Sequence, residues 1–181
     1  MNFILVLILA VVVQFQIVKM KTYYKGEGVI FDNTVRYPLK HDDFLNGYTP
    51  EIEDVVEAEK MFSTGYYQYR KAVAARFPNI RYVVSDRFKD PRAVIKKYYQ
   101  YNRQYAGFIN KSNDTIIYLS AMNFAKREQA EKDFAGWKEK VVIDAVTNEN
   151  DQLNLEVNIT KNTIVQNWDR KLGENIEKIN E

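Results

Sequence analysis

The sequence feature that most constrains the fold lies between residues 103 and 122, where two strand-like runs flank a short polar turn. Residues 103–110 (RQYAGFIN) and 115–122 (TIIYLSAM) are separated by four turn-forming residues, KSND. This pattern predicts an antiparallel β-hairpin with a four-residue turn. A second hairpin is predicted for residues 141–146 and 152–159, because apolar and polar side chains alternate along its second strand.

Helical signals precede these strands. Thr49 can cap a helix whose first position is Pro50, and the acidic residues that follow complement the helix dipole. Apolar residues then recur at three- and four-residue spacings until Pro78, and a break or a kink is expected at residues 63–65 (STG). A second short helix is predicted to open at residues 90–91 (DP), and residues 125–140 are expected to form a polar, partly helical connector.

The order of these elements, helix first and strands afterwards, predicts an α+β fold. We expect an antiparallel sheet of about four to five strands with one or two helices packed on one face. Residues 19–181 are predicted to form a single α+β domain with a polar C-terminal tail. The hydrophobic fraction of 46% is sufficient for a buried core and excludes global disorder.

An unbroken apolar run opens the chain at residues 3–13 (FILVLILAVVV). Its length matches the apolar region of a secretory signal and is short for a membrane span. Residues 1–18 are therefore predicted to be a signal peptide or a membrane anchor, with a buried strand or helix as the remaining alternative. The protein is expected to be exported: periplasmic or secreted if the segment is cleaved, and membrane-anchored if it is not.

The amino-acid composition excludes several kinds of functional site. There is no cysteine, so disulfides, zinc thiolate sites and cysteine nucleophiles are excluded. His41 is the only histidine, and with Asp43 it forms a weak candidate metal site, although an exposed turn is the simpler interpretation. The acidic residues between Glu51 and Glu59 are interpreted as a solvated helix face. No metal or other cofactor is indicated.

The most unusual segment is residues 76–105, where Lys and Arg alternate with Tyr and Phe. Such a pattern can bind anionic lipid, lipopolysaccharide or an acidic partner, or it can be a strand face with cationic side chains at its edge. Tyr101, Arg103 and Tyr105 are the predicted contact residues, because Tyr and Arg are frequent in binding hot spots. The net charge of +2 gives no reason to expect nucleic acid.

Two stretches carry a resemblance to known proteins. Residues 49–60 (TPEIEDVVEAEK) and residues 101–110 (YNRQYAGFIN) resemble the acidic helix start and the "Y.RQY.G" hairpin of a loosely defined group of small bacterial envelope proteins. Trp137 and the apolar residues after it fit the same order of elements. The resemblance implies an envelope location and this fold, and it assigns no activity and no site.

These observations favour a non-enzymatic binding or interaction protein of the cell envelope or the exterior. Its partner is expected to be a protein or an anionic envelope component, with membrane contact only through the N-terminal segment. One alternative is a hydrolase that uses carboxylates or a metal held by His41 and Asp43. Another is a small immunity or inhibitor protein.

Overall fold

The computed structural model describes residues 15–35, 43–76, 84–142 and 150–165, which form one sheet with helices on both of its faces. The elements in chain order are β1 (Phe15–Val18), β2 (Gly28–Phe31), β3 (Phe44–Tyr48), α1 (Ile52–Arg76), a 3-10 turn (Asp86–Lys89), α2 (Pro91–Tyr98), β4 (Tyr101–Asn110), β5 (Thr115–Asn123), α3 (Arg127–Asp133), β6 (Gln152–Asn158) and β7 (Thr163–Val165). No helix in these ranges is long and apolar enough to cross a membrane.

The sheet is mostly antiparallel and has the order β1-β2-β4-β5-β6-β7, with β3 paired to β4 as well. Two strands share one edge of β4: β2 runs parallel to its first half, and β3 runs antiparallel to its second half. The α+β class is thus confirmed, and the predicted number of strands, four to five, is corrected to seven. The additional strands are short, and sequence patterns are weakest for strands of this length.

The predicted hairpin between β4 and β5 is confirmed. Asn113 occupies the left-handed backbone region with φ of 62°, a conformation that Asn tolerates better than most residues. The Asn110 side-chain oxygen accepts hydrogen bonds from the backbone N–H groups of Ser112 and Asp114 at 3.0 and 2.8 Å. Side chains of the turn therefore satisfy the backbone groups that the ladder cannot reach.

The second predicted hairpin is only half present in the described residues. β6 forms as expected, but its neighbours in the sheet are β5 and β7. Val141 and Val142 are not in a strand, and residues 143–149 lie outside the described ranges. Beyond β6 the chain forms the short strand β7.

Helix α1 is continuous across residues 63–65, so the predicted break is wrong. The hydroxyl groups of Ser63 and Thr64 both donate to the Lys60 carbonyl at 2.9 Å, which satisfies them within the helix. A Cβ on Gly65 would lie 3.0 Å from the Ile164 side chain. Gly65 therefore allows β7 to pack closely against the helix.

Helix α2 begins as predicted. The Asp90 carboxylate accepts a hydrogen bond from the Arg92 backbone N–H at 2.9 Å, and Pro91 occupies the first turn. The helix packs with α1 on one face of the sheet, where Val94 and Tyr98 join the main core.

Helix α3 lies on the opposite face, which corrects the expectation that helices would cover one face only. Ala130 and Phe134 pack on Met122 of β5, and Met122 points away from α1. The Gln104 side chain on the same face accepts from the Val142 N–H at 2.9 Å and donates to the carbonyls of Trp137 and Lys140. The connector is therefore held against the sheet by hydrogen bonds from a buried strand residue.

Strand β1 belongs to the folded domain, although its residues fall within the segment 1–18 assigned from sequence to a signal or anchor. Phe15–Val18 pairs with β2 along its whole length, and Val18 is buried. Residues 1–14, which contain the apolar run, lie outside the described ranges.

Candidate functional site

The three residues predicted to contact a partner lie in the core. Tyr101, Arg103 and Tyr105 are 7%, 1% and 0% exposed. They are alternate residues of β4 and so face one side of the sheet, the side covered by α1. Because α1 already covers that face, these three side chains lie in the core and not on an exposed surface.

Arg103 is compensated by a buried carboxylate from α1. Its Nε donates to Glu59 Oε1 at 2.8 Å, and the Tyr105 hydroxyl donates to the same oxygen at 2.7 Å. The two Nη groups of Arg103 donate to the carbonyls of Tyr101 and Tyr98 at 3.1 and 3.2 Å. This buried cluster satisfies the charge internally, which is the condition for keeping an ion pair in a core.

Tyr24 completes the buried cluster. Its ring lies 4.9 Å from the Arg103 guanidinium carbon, within cation–π range. The hydroxyl groups of Tyr24 and Tyr105 are close enough to affect each other's pKa but do not meet hydrogen-bond geometry. Burial raises the pKa of Tyr24 to about 12, and burial next to Glu59 raises the pKa of Tyr105 well above its usual value.

Sequence reasoning missed Glu59 by assigning it to the solvated helix face, although it is 1% exposed. A signal was present, since Glu59 follows Val55 by four residues and precedes Phe62 by three. These positions share one face of a helix. A lone carboxylate within an apolar stripe predicts a buried cationic partner.

The weak metal candidate gains no support. His41 lies outside the described residues, and Asp43 contributes its backbone carbonyl to the Lys111 N–H at 2.6 Å. Within the described ranges, no group of three or more His, Cys, Asp or Glu side chains is placed to hold a metal ion.

Charge is strongly segregated along the chain. Residues 61–102 contain nine Lys and Arg but only two acidic residues, while the net charge of the whole chain is +2. The described part of this stretch comprises most of α1, the 3-10 turn and α2, which pack against one another. The helical layer therefore carries a positive surface that the overall composition conceals.

Two cations of this surface lie over the ring of Phe88, and we call Arg87 and Lys97 with the Phe88 ring the cationic site. The Arg87 guanidinium carbon is 4.6 Å from the ring centroid, and the Lys97 ammonium is 5.3 Å from it. The ring itself rests edge-on against Tyr66 at 5.4 Å, so the core below fixes its position.

Burial, together with the charges of Arg70 and Arg87, lowers the pKa of Lys97. The ammonium also lies 5.0 Å from the centroid of the Tyr98 ring, which offers partial compensation through its π face. Lys97 is thus a half-buried cation whose charged form is disfavoured by burial and by repulsion from Arg70 and Arg87.

The two nearby acidic residues are already engaged. Asp86 pairs with Lys89 at 3.3 Å and accepts a hydrogen bond from the Tyr67 hydroxyl at 2.9 Å. Asp90 pairs with Arg92 at 3.2 Å. Among the described residues, no carboxylate lies within ion-pair distance of Lys97 or Arg87. The cationic site therefore has excess positive charge available to an external anion.

The positive surface continues around α2. A groove of about 440 Å³ is lined by residues of α1 and of β7 and its preceding turn, and a groove of about 660 Å³ lies beside α2. The larger groove is lined by Thr22, Arg92, Ile95, Lys96, Tyr99 and Gln100. Arg92 and Lys96 thus add two cations to this groove, beside Ile95 and Tyr99.

No family model, no curated protein and no solved structure matches this chain. Its function therefore has to be inferred from the geometry and charge of the described residues.

Proposed function

We propose that this chain is a non-enzymatic binding protein of the cell envelope or the exterior. It holds an anionic partner, either a protein or an envelope component, on the positive surface of its helical layer. The observation that carries the proposal is that Arg87 and Lys97 flank the Phe88 ring with no carboxylate partner among the described residues.

Electrostatics and packing both support a binding role. Like charges placed together without counter-charges raise the free energy of the folded state, and a bound anion removes that repulsion. The Phe88 ring is 8% exposed and packs edge-on against Tyr66 in the aromatic core, so the cations lie on a rigid base. A rigid base reduces the entropy that binding must remove.

The proposed location depends on the apolar run at residues 3–13, whose length suits a secretory signal. In an envelope, lipid headgroups supply a dense negative surface that attracts basic protein surfaces. The location and the ligand type are thus mutually consistent.

The test measures binding of the full chain to two anionic probes, vesicles containing phosphatidylglycerol and soluble polyglutamate. The Arg87→Gln/Lys97→Gln variant removes two charges from the cationic site. The matched control, Lys126→Gln/Lys132→Gln, removes two exposed charges at α3, on the other face of the sheet. Because the two variants have the same net charge, a difference in their affinity for a probe shows that the position of the removed charges matters.

We expect binding to one or both probes at low salt, with a loss of at least about tenfold in the first variant and little change in the control. Equal weakening in both variants would show only a net-charge effect. That result, or no binding by the wild-type chain to either probe, would overturn the proposal.

A further inference from the structure

We infer that the groove beside α2 binds a segment of a partner protein in which carboxylates flank an apolar side chain. This groove, which we call the α2 groove, is lined by Thr22, Arg92, Ile95, Lys96, Tyr99 and Gln100. The inference rests on the proposed function, because the groove belongs to the same positive surface. It names the class of the partner and the place where the partner is held.

The α2 groove has the dimensions of a site for a few residues of extended chain. Its volume of about 660 Å³ falls within the range of ligand-binding pockets. Between Arg92 and Tyr99 a helix rises by about 10 Å, and an extended chain covers about 3.3 Å per residue. A stretch of roughly three partner residues can therefore lie along the groove.

The two walls of the groove are joined by hydrogen bonds. One wall is α2, and the other is the loop between β1 and β2, which contributes Thr22. The Tyr99 hydroxyl donates to the Lys21 carbonyl at 3.3 Å, and the Lys25 N–H donates to the Tyr99 carbonyl at 2.7 Å. The groove is therefore formed before a partner binds, which lowers the entropic cost of binding.

Three exposed lysines give the groove its positive charge. Lys96 lines it, and Lys21 and Lys25 border it through the backbone contacts just described. None of the three forms an ion pair in the part of the chain that the structure describes. Arg92 is engaged by Asp90 at 3.2 Å, so the argument does not count it as an available charge. Charge complementarity therefore favours an acidic partner.

The apolar part of the groove favours a protein segment over a membrane. Ile95 and Tyr99 are partly buried, whereas Lys96 between them is exposed. A bilayer is bound by apolar side chains that project from a protein surface. In the described ranges, the most exposed large apolar side chains lie on β1, β3 and α1 and not in this groove. Recessed apolar side chains instead receive an apolar side chain that the partner inserts.

The experiment titrates the purified full chain, labelled with nitrogen-15, and follows its backbone amides by NMR. The probes are two short blocked peptides, which carry either leucine or serine between two pairs of glutamates. Phosphatidylglycerol vesicles are tested separately by co-sedimentation. The site variants are Lys21→Gln/Lys96→Gln and Ile95→Thr. The control, Lys126→Gln/Lys132→Gln, has the same net charge as the first variant, and thermal denaturation checks that each variant is folded.

We expect the leucine peptide to shift the amides of α2 and of the loop between β1 and β2. It should bind the wild-type chain at least about fivefold more tightly than the serine peptide, because its apolar side chain is buried. Lys21→Gln/Lys96→Gln should weaken both peptides by at least about threefold, with little change in the control. Ile95→Thr should weaken only the leucine peptide.

Three results would overturn the inference and leave the proposed function standing. The first is equal affinity of the wild-type chain for the two peptides, which would show that charge alone acts. The second is a set of amide shifts confined to another surface. The third is vesicle or polyglutamate binding without binding of the leucine peptide. If no peptide, vesicle or polyglutamate binds, the proposed function fails together with the inference.

Discussion

The buried cluster around Arg103 and the cationic site around Lys97 come from the same basic and aromatic stretch of sequence, yet their environments are opposite. Arg103 is covered by α1 and has Glu59 at 2.8 Å. Lys97 is half-buried beside two other cations and has no carboxylate partner among the described residues. The comparison shows that the same residue types can have opposite environments. Where the fold places a carboxylate beside the cation, the cation is compensated within the core; where it does not, the positive charge remains uncompensated.

The largest effect is expected from breaking the buried pair. Glu59→Gln leaves the Arg103 charge buried without its counter-ion, and we expect a loss of about 3–5 kcal/mol in the free energy of unfolding. The measurement is urea denaturation at pH 7. The control is Glu57→Gln, whose partner Lys60 is 61% exposed, and it should cost about 0–1 kcal/mol. Similar losses in the two variants would remove the distinction between buried and exposed charges.

Alkaline pH is expected to act mainly on the buried cluster and its neighbours. Burial raises the pKa of both Tyr24 and Tyr98 to about 12, from 10.0 in the unfolded chain. The folded state thus holds protons that the unfolded state has released. The stability from these groups is fully present below pH 10 and is lost as pH rises through 12, a total of a few kcal/mol.

The measurement combines urea denaturation at pH 8–12 with tyrosinate absorbance. Tyr24→Phe provides the internal comparison, since it removes one raised group and should make the alkaline loss smaller. A free energy of unfolding that stays constant up to pH 12 would contradict the burial of these hydroxyl groups.

A smaller difference in stability is expected between variants that remove one or the other of two hydroxyl groups in the buried cluster. Tyr105→Phe deletes a donor to Glu59 and should cost about 1–2 kcal/mol. Tyr24→Phe deletes a hydroxyl that has no hydrogen-bond partner among the described residues, and should change stability by about 0.5 kcal/mol or less. Both are compared by urea denaturation at neutral pH, and equal costs would contradict the hydrogen-bond assignment.

The smallest change in stability is expected in the cationic site, where the substitution should stabilise the folded state and not destabilise it. Lys97→Gln relieves repulsion from Arg70 and Arg87, so the folded state should gain a few tenths of a kcal/mol at pH 7 and low salt. The gain should shrink as salt screens the charges. The measurement is thermal unfolding at two ionic strengths, with Lys126→Gln as the control. A clear destabilisation would show that the contacts of Lys97 with the Phe88 and Tyr98 rings outweigh the repulsion.

Local signals in the sequence predicted the elements that form locally. The cap at Asp90, the turn around Asn113 and the long apolar stripe of α1 each depend on residues within a few positions of one another. β3 was missed because its partner β4 is distant in the sequence. β1 pairs with the nearby β2 and was missed because its residues were assigned to the N-terminal signal or anchor. β3 (FLNGY) is also short and contains Gly47, which weakens a strand pattern.

The basic and aromatic stretch contains residues of both the buried cluster and the cationic site. Residue types alone favoured Tyr101, Arg103 and Tyr105, because Tyr and Arg are frequent in binding hot spots, and residue types do not show which side chains the fold buries. Which cations lie under α1 depends on how the helix packs on β4 across more than 40 residues of chain, as the Glu59–Arg103 pair shows. The exposure of Arg87 is a tertiary property of the same kind.

The shared edge of β4 has a consequence for the order in which the molecule folds. β2 and β3 cannot complete their pairing until β4 exists, and Glu27 bonds to Asn102 across a separation of 75 residues. At roughly 5–20 residues per second, synthesis of that intervening chain takes several seconds. Until then β2 and β3 have no strand of β4 to pair with. Their unpaired edges are therefore open to pairing with other chains while the intervening residues are made.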